Sequence, residues 1–452
     1  MRLTYISCVL LQMCVLVLGQ KTSLDSSPLL DIYRTLRKAI FQAFGTFTYY
    51  NSTQFPILSP YPILIQCINQ AIESFLLGDQ SANGARFLSD AKEQNKLQQP
   101  VSERKPFPCD VKGGRSVEVP TSVHRLRPGD IDVIAAMGDS LTAGAGILST
   151  RILQVPVENR GVSAGGGGQG TWRQYLTLPN ILKEFNPRLV GYAHGDSLTI
   201  EKRSELNVAE SGAMTRDMPY MAEVLIQRIK KDPRIDFKNH WKLIVLNIGS
   251  NDFCVNICGL PSPSSILEEH RRNLLKVLRL LRDNLPRTLV VVASPPHMKS
   301  LVTTNPQGRS ILCYFTTMIE CSCMFALKYR QLRSTYYEIQ NKSVVITKWY
   351  DVESDVIEYP EFHREDFEVV TAPCLQNTSM PLRSDGQPDV SYFAADCFHV
   401  SQQGNAQYAN CLWNNLLEPI GKRTETWTPL LQRFLCPTEK MPYLVTHANS
   451  PE

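Results

Sequence analysis

The sequence predicts an α/β fold with a central parallel sheet, and two observations carry that prediction. Compact apolar runs recur along the chain, and amphipathic stretches with helical spacing separate them. The runs are Ile131–Met137, Leu243–Ile248, Leu289–Ala293 and Val344–Trp349, each of a length suited to a buried strand. Between the first two, Met218, Met221, Val224, Leu225 and Ile229 share one helical face. Leu267, Leu274, Leu278 and Leu281 share another before the third run, and Ala406, Ala409, Trp413 and Leu416 mark a last helix. Strands alternating with helices imply right-handed crossovers that cover a parallel sheet on both faces. Ligands bind such sheets beyond the carboxyl ends of the strands, so the residues just after each run are the candidates for chemistry.

Composition agrees with a globular chain. Of 452 residues, 43% are apolar and 20% charged, which excludes a disordered, collagen-like or coiled-coil protein. Lys+Arg 47 against Asp+Glu 43 leaves +4, too little charge over this length for a nucleic-acid binder. The N-terminus points to export. Met1-Arg2 is basic, residues 3–18 are mostly apolar, and Val17-Leu18-Gly19 fits a small-residue cleavage site. Residues 1–19 therefore read as a secretory signal peptide, and the protein as secreted. The N-x-[ST] sequons at Asn51, Asn341 and Asn377 agree with a glycoprotein.

Cleavage removes Cys8 and Cys14 from the 13 cysteines and leaves an odd number, so at least one thiol is free or pairs with another chain. Cys254 with Cys258, and the cluster Cys313, Cys321 and Cys323, are expected to close local bridges. C-x3-C lacks a second pair, the 8 histidines are scattered and no H-E-x-x-H occurs, so no metal or cofactor is expected. Leu29, Ile32, Tyr33, Leu36, Ile40 and Phe44 suggest one helix near the start, and the polar stretch over 80–108 reads as a linker.

Three serines compete for a nucleophilic role. Ser140 lies in Gly138-Asp139-Ser140-Leu141, directly after the first strand. A serine in a tight turn from strand to helix projects its hydroxyl from the sheet edge, with its own N–H beside it to donate to an oxyanion. Ser163 lies in Gly161-Val162-Ser163-Ala164-Gly165, a literal G-x-S-x-G, but no strand precedes it and a glycine run follows, which reads as a mobile loop. Ser197 repeats the tetrad as Gly195-Asp196-Ser197-Leu198. Gly212, the next candidate oxyanion donor, follows it too closely for a crossover helix plus a strand, which takes about 30 residues. Ser197 therefore reads as part of a surface loop.

Further blocks complete a constellation around Ser140. Asn207-Val208-Ala209-Glu210-Ser211-Gly212 could set the Gly212 N–H at the sheet edge, or be a plain turn. Gly249-Ser250-Asn251-Asp252 follows the second strand, and the Asn251 amide is either an oxyanion donor or part of a helix-capping turn. Asp396-Cys397-Phe398-His399 precedes the last helix, and among the 8 histidines His399 alone has an aspartate three positions earlier. A base must reach the serine while a carboxylate orients its other ring nitrogen, and one short loop supplies both here.

The four blocks in this order resemble the GDSL or SGNH hydrolase family, over Ile131 to His399. Val119-Pro120-Thr121-Ser122-Val123-His124-Arg125-Leu126 and Leu178-Pro179-Asn180-Ile181-Leu182 further resemble animal phospholipase B of the membrane-associated type, from Phe107-Pro108-Cys109 to Cys436-Pro437. Ser250 departs from that group, which often has glycine there. The resemblance implies a three-layer α/β/α, flavodoxin-like fold over residues 106–440, after an extension and linker over 20–105 and before a tail over 441–452. It implies Ser140 as nucleophile, His399 as base, Asp396 as its orienter, and an oxyanion hole from the Ser140 and Gly212 N–H groups and the Asn251 amide. The expected activity is hydrolysis of glycerophospholipid and lysophospholipid esters at a membrane or lipid-aggregate surface. The same groups would serve an esterase of small or acetyl esters, or a catalytically silent lipid-binding module. A single unit without a membrane anchor is expected.

Overall fold

The computed structural model describes residues 88–297, 311–326, 329, 345–379 and 381–451. Four strands form one parallel sheet in the order β1 (Ile131–Gly138), β2 (Trp241–Asn247), β3 (Thr288–Ala293) and β4 (Phe367–Ala372). The registers run Gly138↔Asn247, Asn247↔Ala293 and Ala293↔Ala372, so all four strands end together. Beyond β1, Val190 and Asn207 make isolated parallel bridges to Val133 and Ala136, which cover that edge.

Alternation along the strands sorts side chains into two layers. Ile134, Leu243, Val245, Val291 and Val370 face α2 (Leu178–Phe185) and the last helix, α8 (Gln402–Asn415); α1, Ser140–Ala143, is one short turn. Val133, Ala135, Ile244, Val290 and Val369 face the other way, onto α3 (Met218–Lys231), α4 (Ser265–Asn284) and α7 (Val345–Ile357). The three-layer α/β/α architecture expected from the sequence is therefore present. A third apolar cluster sits past the carboxyl ends of the strands, where Phe253, Ile257 and Trp349 pack with α6 (Ser322–Phe325), which follows α5 (Ile311–Glu320).

Several local expectations are corrected. Val344–Trp349 is no strand: from Val345 it is the start of α7, where Val345, Ile346, Trp349, Val352, Val356 and Ile357 are buried at helical spacing. A short apolar run cannot separate a strand from a buried helix face. The fourth strand is β4, whose apolar run is broken by the buried Glu368. Of residues 161–170, read as a mobile loop, 161–168 are buried and only the last two reach solvent. Their glycines let backbone lie directly on backbone: a Cβ at Gly167 would come within 2.5 Å of the Gly161 carbonyl. Ser197, read as surface, is buried, and the fully buried Arg160 donates through Nε to its carbonyl at 2.7 Å.

The polar stretch over 80–108 does not run free from Leu88 on. Gln98 donates through its backbone N–H to Gln402 Oε1 at 2.7 Å and through its side chain to the Trp172 carbonyl at 3.2 Å. At the other end, Leu444 and Val445 are buried and join backbone bonds to Leu126 and Leu416. The disulfides are not local as expected. They cross between segments, as Cys254–Cys321, Cys258–Cys323, Cys313–Cys397 and Cys109–Cys436. Among the described residues Cys374 and Cys411 are free and buried. The signal peptide, the Leu29–Phe44 helix, Asn51 and Asn341 lie outside the described residues. Asn377 is exposed, and no helix among the described residues is long and apolar enough to cross a membrane.

Candidate active site

The end of β1 explains why Ser140 stands where it does. Gly138 takes φ +155°, and a Cβ there would lie 2.1 Å from the Asn247 carbonyl of the neighbouring strand, so only glycine lets the chain turn. Asp139 caps α1 by accepting from the Leu141 N–H at 3.0 Å. Complete burial pushes the Asp139 carboxyl up to about 6, against the opposing pull of that hydrogen bond and of His399. Ser140 opens the turn, 7% exposed.

His399 reaches Ser140 from within the hairpin loop that the Phe393↔Val400 bridge closes, just ahead of α8. Its Nε2 lies 2.7 Å from Ser140 Oγ, and its Nδ1 lies 2.6 Å from Asp396 Oδ2. The other Asp396 oxygen accepts the Phe398 and His399 N–H groups at 2.9 and 3.0 Å. Burial alone would raise the Asp396 pKa, but the His399 charge and these hydrogen bonds outweigh it and hold it below the usual range. The loop is pinned from outside: Ala395 N–H donates to Ser149 Oγ at 3.0 Å, and Thr316 Oγ1 on α5 donates to the Asp396 carbonyl at 2.6 Å. Lys96, from the segment ahead of β1, donates to the Phe393 carbonyl at 2.5 Å, and burial lowers its pKa to about 8 although Asp396 pulls it up.

Gly212 and Asn251 come together beside this turn. The Glu210 N–H donates to the Gly138 carbonyl at 3.0 Å, which lays the Gly212 segment along the end of β1. Gly212 takes φ +81° with open space around its Cα. Asn251 lies past β2 and donates through Nδ2 to the Ala213 carbonyl at 2.9 Å, next to Gly212. An amide carries two N–H donors, so one stays available. Asp252 accepts the Thr215 N–H at 3.1 Å and fastens the same two segments.

The competing serines lie elsewhere. Ser163 Oγ accepts from Asn207 Nδ2 at 3.3 Å, inside a buried network of Arg160, Glu158, Thr199 and Asn207. Ser197 Oγ is buried with no hydrogen-bond partner. Neither serine is hydrogen-bonded to a histidine among the described residues. Sequence reasoning missed Lys96 and Glu320, both close to Asp396. Neither falls in a motif, and nothing in their spacing joins them to a loop that follows β4.

Comparison with known proteins places these features in a wider group. Residues 134–412 match the GDSL-like Lipase/Acylhydrolase family. The chain is 38% identical over 342 residues to the membrane-associated phospholipase B1 of Homo sapiens, covering 74% of this chain and 22% of that one. It is 36% identical to the same protein of Rattus norvegicus and of Mus musculus, with the same coverage. It thus spans about a fifth of the length of these curated relatives.

Proposed function

The chain belongs to the GDSL-like lipase/acylhydrolase family, and on that premise we propose that it hydrolyses acyl esters of glycerophospholipids and lysophospholipids, as a secreted serine esterase. The observation that carries the proposal is the unbroken line of contacts from Ser140 Oγ through His399 to Asp396. The substrate class rests on the phospholipase B1 relatives. Export is supported by the leader over 1–19, the exposed Asn377 sequon and the disulfides, which persist in oxidising compartments.

In the proposed reaction His399 Nε2 takes the Ser140 proton as Oγ attacks the ester carbonyl. Asp396 holds Nδ1–H and stabilises the imidazolium that forms. The negative charge on the tetrahedral oxygen falls to the N–H groups of Ser140 and Gly212 and to the Asn251 amide. Collapse expels the alcohol, which takes its proton from His399. Water then attacks the acyl-serine with His399 again as base, and the fatty acid leaves.

The test compares alanine variants of Ser140, Ser163 and Ser197 for turnover and for fluorophosphonate labelling. Loss confined to Ser140→Ala is expected. Retained turnover in that variant would refute the assignment. A panel from acetyl esters to long-chain phospholipids then fixes the substrate class, with preference for acetyl esters overturning it.

A further inference from the structure

The carboxylate that orients His399 has a second carboxyl beside it. Glu320, the last residue of α5, brings a carboxyl oxygen to within 4.8 Å of a carboxylate oxygen of Asp396 and of a ring nitrogen of His399. The helix is held there by two more contacts. Cys313 is bonded to Cys397, and Thr316 Oγ1 donates to the Asp396 carbonyl at 2.6 Å. Positions 313, 316 and 320 are spaced by three and four, so one face of α5 meets the catalytic loop at three points.

Two carboxyl groups held this close and shielded from water repel each other when both are charged, which favours a proton on one of them. Asp396 is built to be the ionised one. It accepts two backbone N–H groups and the His399 Nδ1, and Lys96 adds a positive charge nearby. Glu320 has no such support. Its residue is half-buried overall, yet its Oε2 is shut off from solvent and no donor is aimed at it. Burial and the Asp396 charge both push its pKa well above the usual carboxylate range.

We propose that Glu320 stands as a neutral carboxylic acid that donates a hydrogen bond to Asp396, and so extends the Ser140–His399–Asp396 line by a fourth member. It is a positioning residue, since it acts through Asp396 and meets no substrate. The inference rests on the catalytic reading of Ser140, His399 and Asp396. The donated proton fixes the Asp396 carboxylate and draws charge from it, which limits how strongly Asp396 favours the imidazolium. The titratable groups facing this proton are Asp396 and His399 on the loop, with Lys96 near enough to feel the Asp396 charge.

The test uses the full chain and a soluble short-chain ester, p-nitrophenyl butyrate, with kcat and KM measured between about pH 5 and pH 9. Glu320→Gln keeps an uncharged donor, so kcat should stay within about threefold of the parent with an unmoved acid limb. Glu320→Met removes the donor. It should lower kcat about tenfold with KM unchanged, and move the acid limb of kcat/KM to higher pH by about half a unit. If Glu320 were ionised, Glu320→Gln would remove a negative charge and move the acid limb to lower pH, which overturns the proposal. A Met variant with the parent profile overturns it as well. If the Met variant does not fold, the limb of the Gln variant decides alone, unmoved in favour and lowered against. Ser140→Ala runs in parallel: activity retained there breaks the underlying catalytic reading, whereas activity lost there with an unaffected Glu320→Met breaks this inference alone.

Discussion

Cys313 and Cys397 are joined by a disulfide that fastens α5 to the residue immediately after Asp396. Cys397 itself takes φ +60°, a left-handed conformation that a residue with a side chain adopts only when its surroundings impose it. The bond therefore tethers the turn that carries Asp396 and His399 directly to α5. Replacing both cysteines by serine should lower stability by about 2–4 kcal/mol and reduce kcat more than it raises KM. Thermal melts and steady-state kinetics check this, and unchanged kinetics at a lowered Tm would limit the bond to a folding role.

Asn251→Ala should lower kcat on the order of 10²–10³ with little change in KM, as loss of one oxyanion donor does. The side chain also bonds the Ala213 carbonyl. Circular dichroism must therefore show an intact fold before the kinetics are read. A rate within a few-fold of the parent removes Asn251 from the oxyanion role.

Gly138→Ala should cost about 3 kcal/mol or more, because the new Cβ would meet the Asn247 carbonyl and the backbone sits at a φ that side chains disfavour. Denaturant unfolding measures the loss. Stability equal to the parent would mean the turn after β1 can relax away from β2.

The C-terminal segment should loosen as pH rises. His447 Nδ1 lies 2.5 Å from the buried Glu368 on β4, and its Nε2 lies 3.1 Å from Glu358. Burial would lower the His447 pKa, but its bonds to Glu368 and the charges of Glu368 and Glu358 outweigh that and raise it above the ordinary 6.5. A raised folded-state pKa stabilises fully below about 6.5 and loses that contribution as pH climbs through the folded value. The Tm gap between the parent and His447→Gln should therefore be widest near pH 6 and shrink toward pH 9. A gap that stays constant or widens would sink this reading.

Much of the sheet was legible because β1, β2 and β3 are near-continuous apolar runs, the signature of strands buried on both faces. The fourth strand was hidden by Glu368, a buried carboxylate whose partners His363 and His447 come from outside the strand. Val344–Trp349 misled for the opposite reason, since its apolar start belongs to a helix face that continues beyond it. Within the site, Ser140 and the Asp396–His399 pair stood in short motifs, and the structure brings them into contact. Glu320 and Lys96 could not be read this way. They meet Asp396 only through tertiary packing, one from a disulfide-tethered helix and one from a segment that looked like linker. The glycine-rich stretch over 161–170 misled because flexibility and close packing ask for the same residue.

The Cys109–Cys436 bond joins residues 327 positions apart, with their Cα atoms 5.3 Å from each other. The polypeptide between them is thus a closed ring. One backbone cut anywhere inside it would leave a single covalent molecule, indistinguishable in mass from the uncut chain apart from an added water. Only reduction would part the fragments, so a nicked enzyme would show no separate fragments on a non-reducing gel.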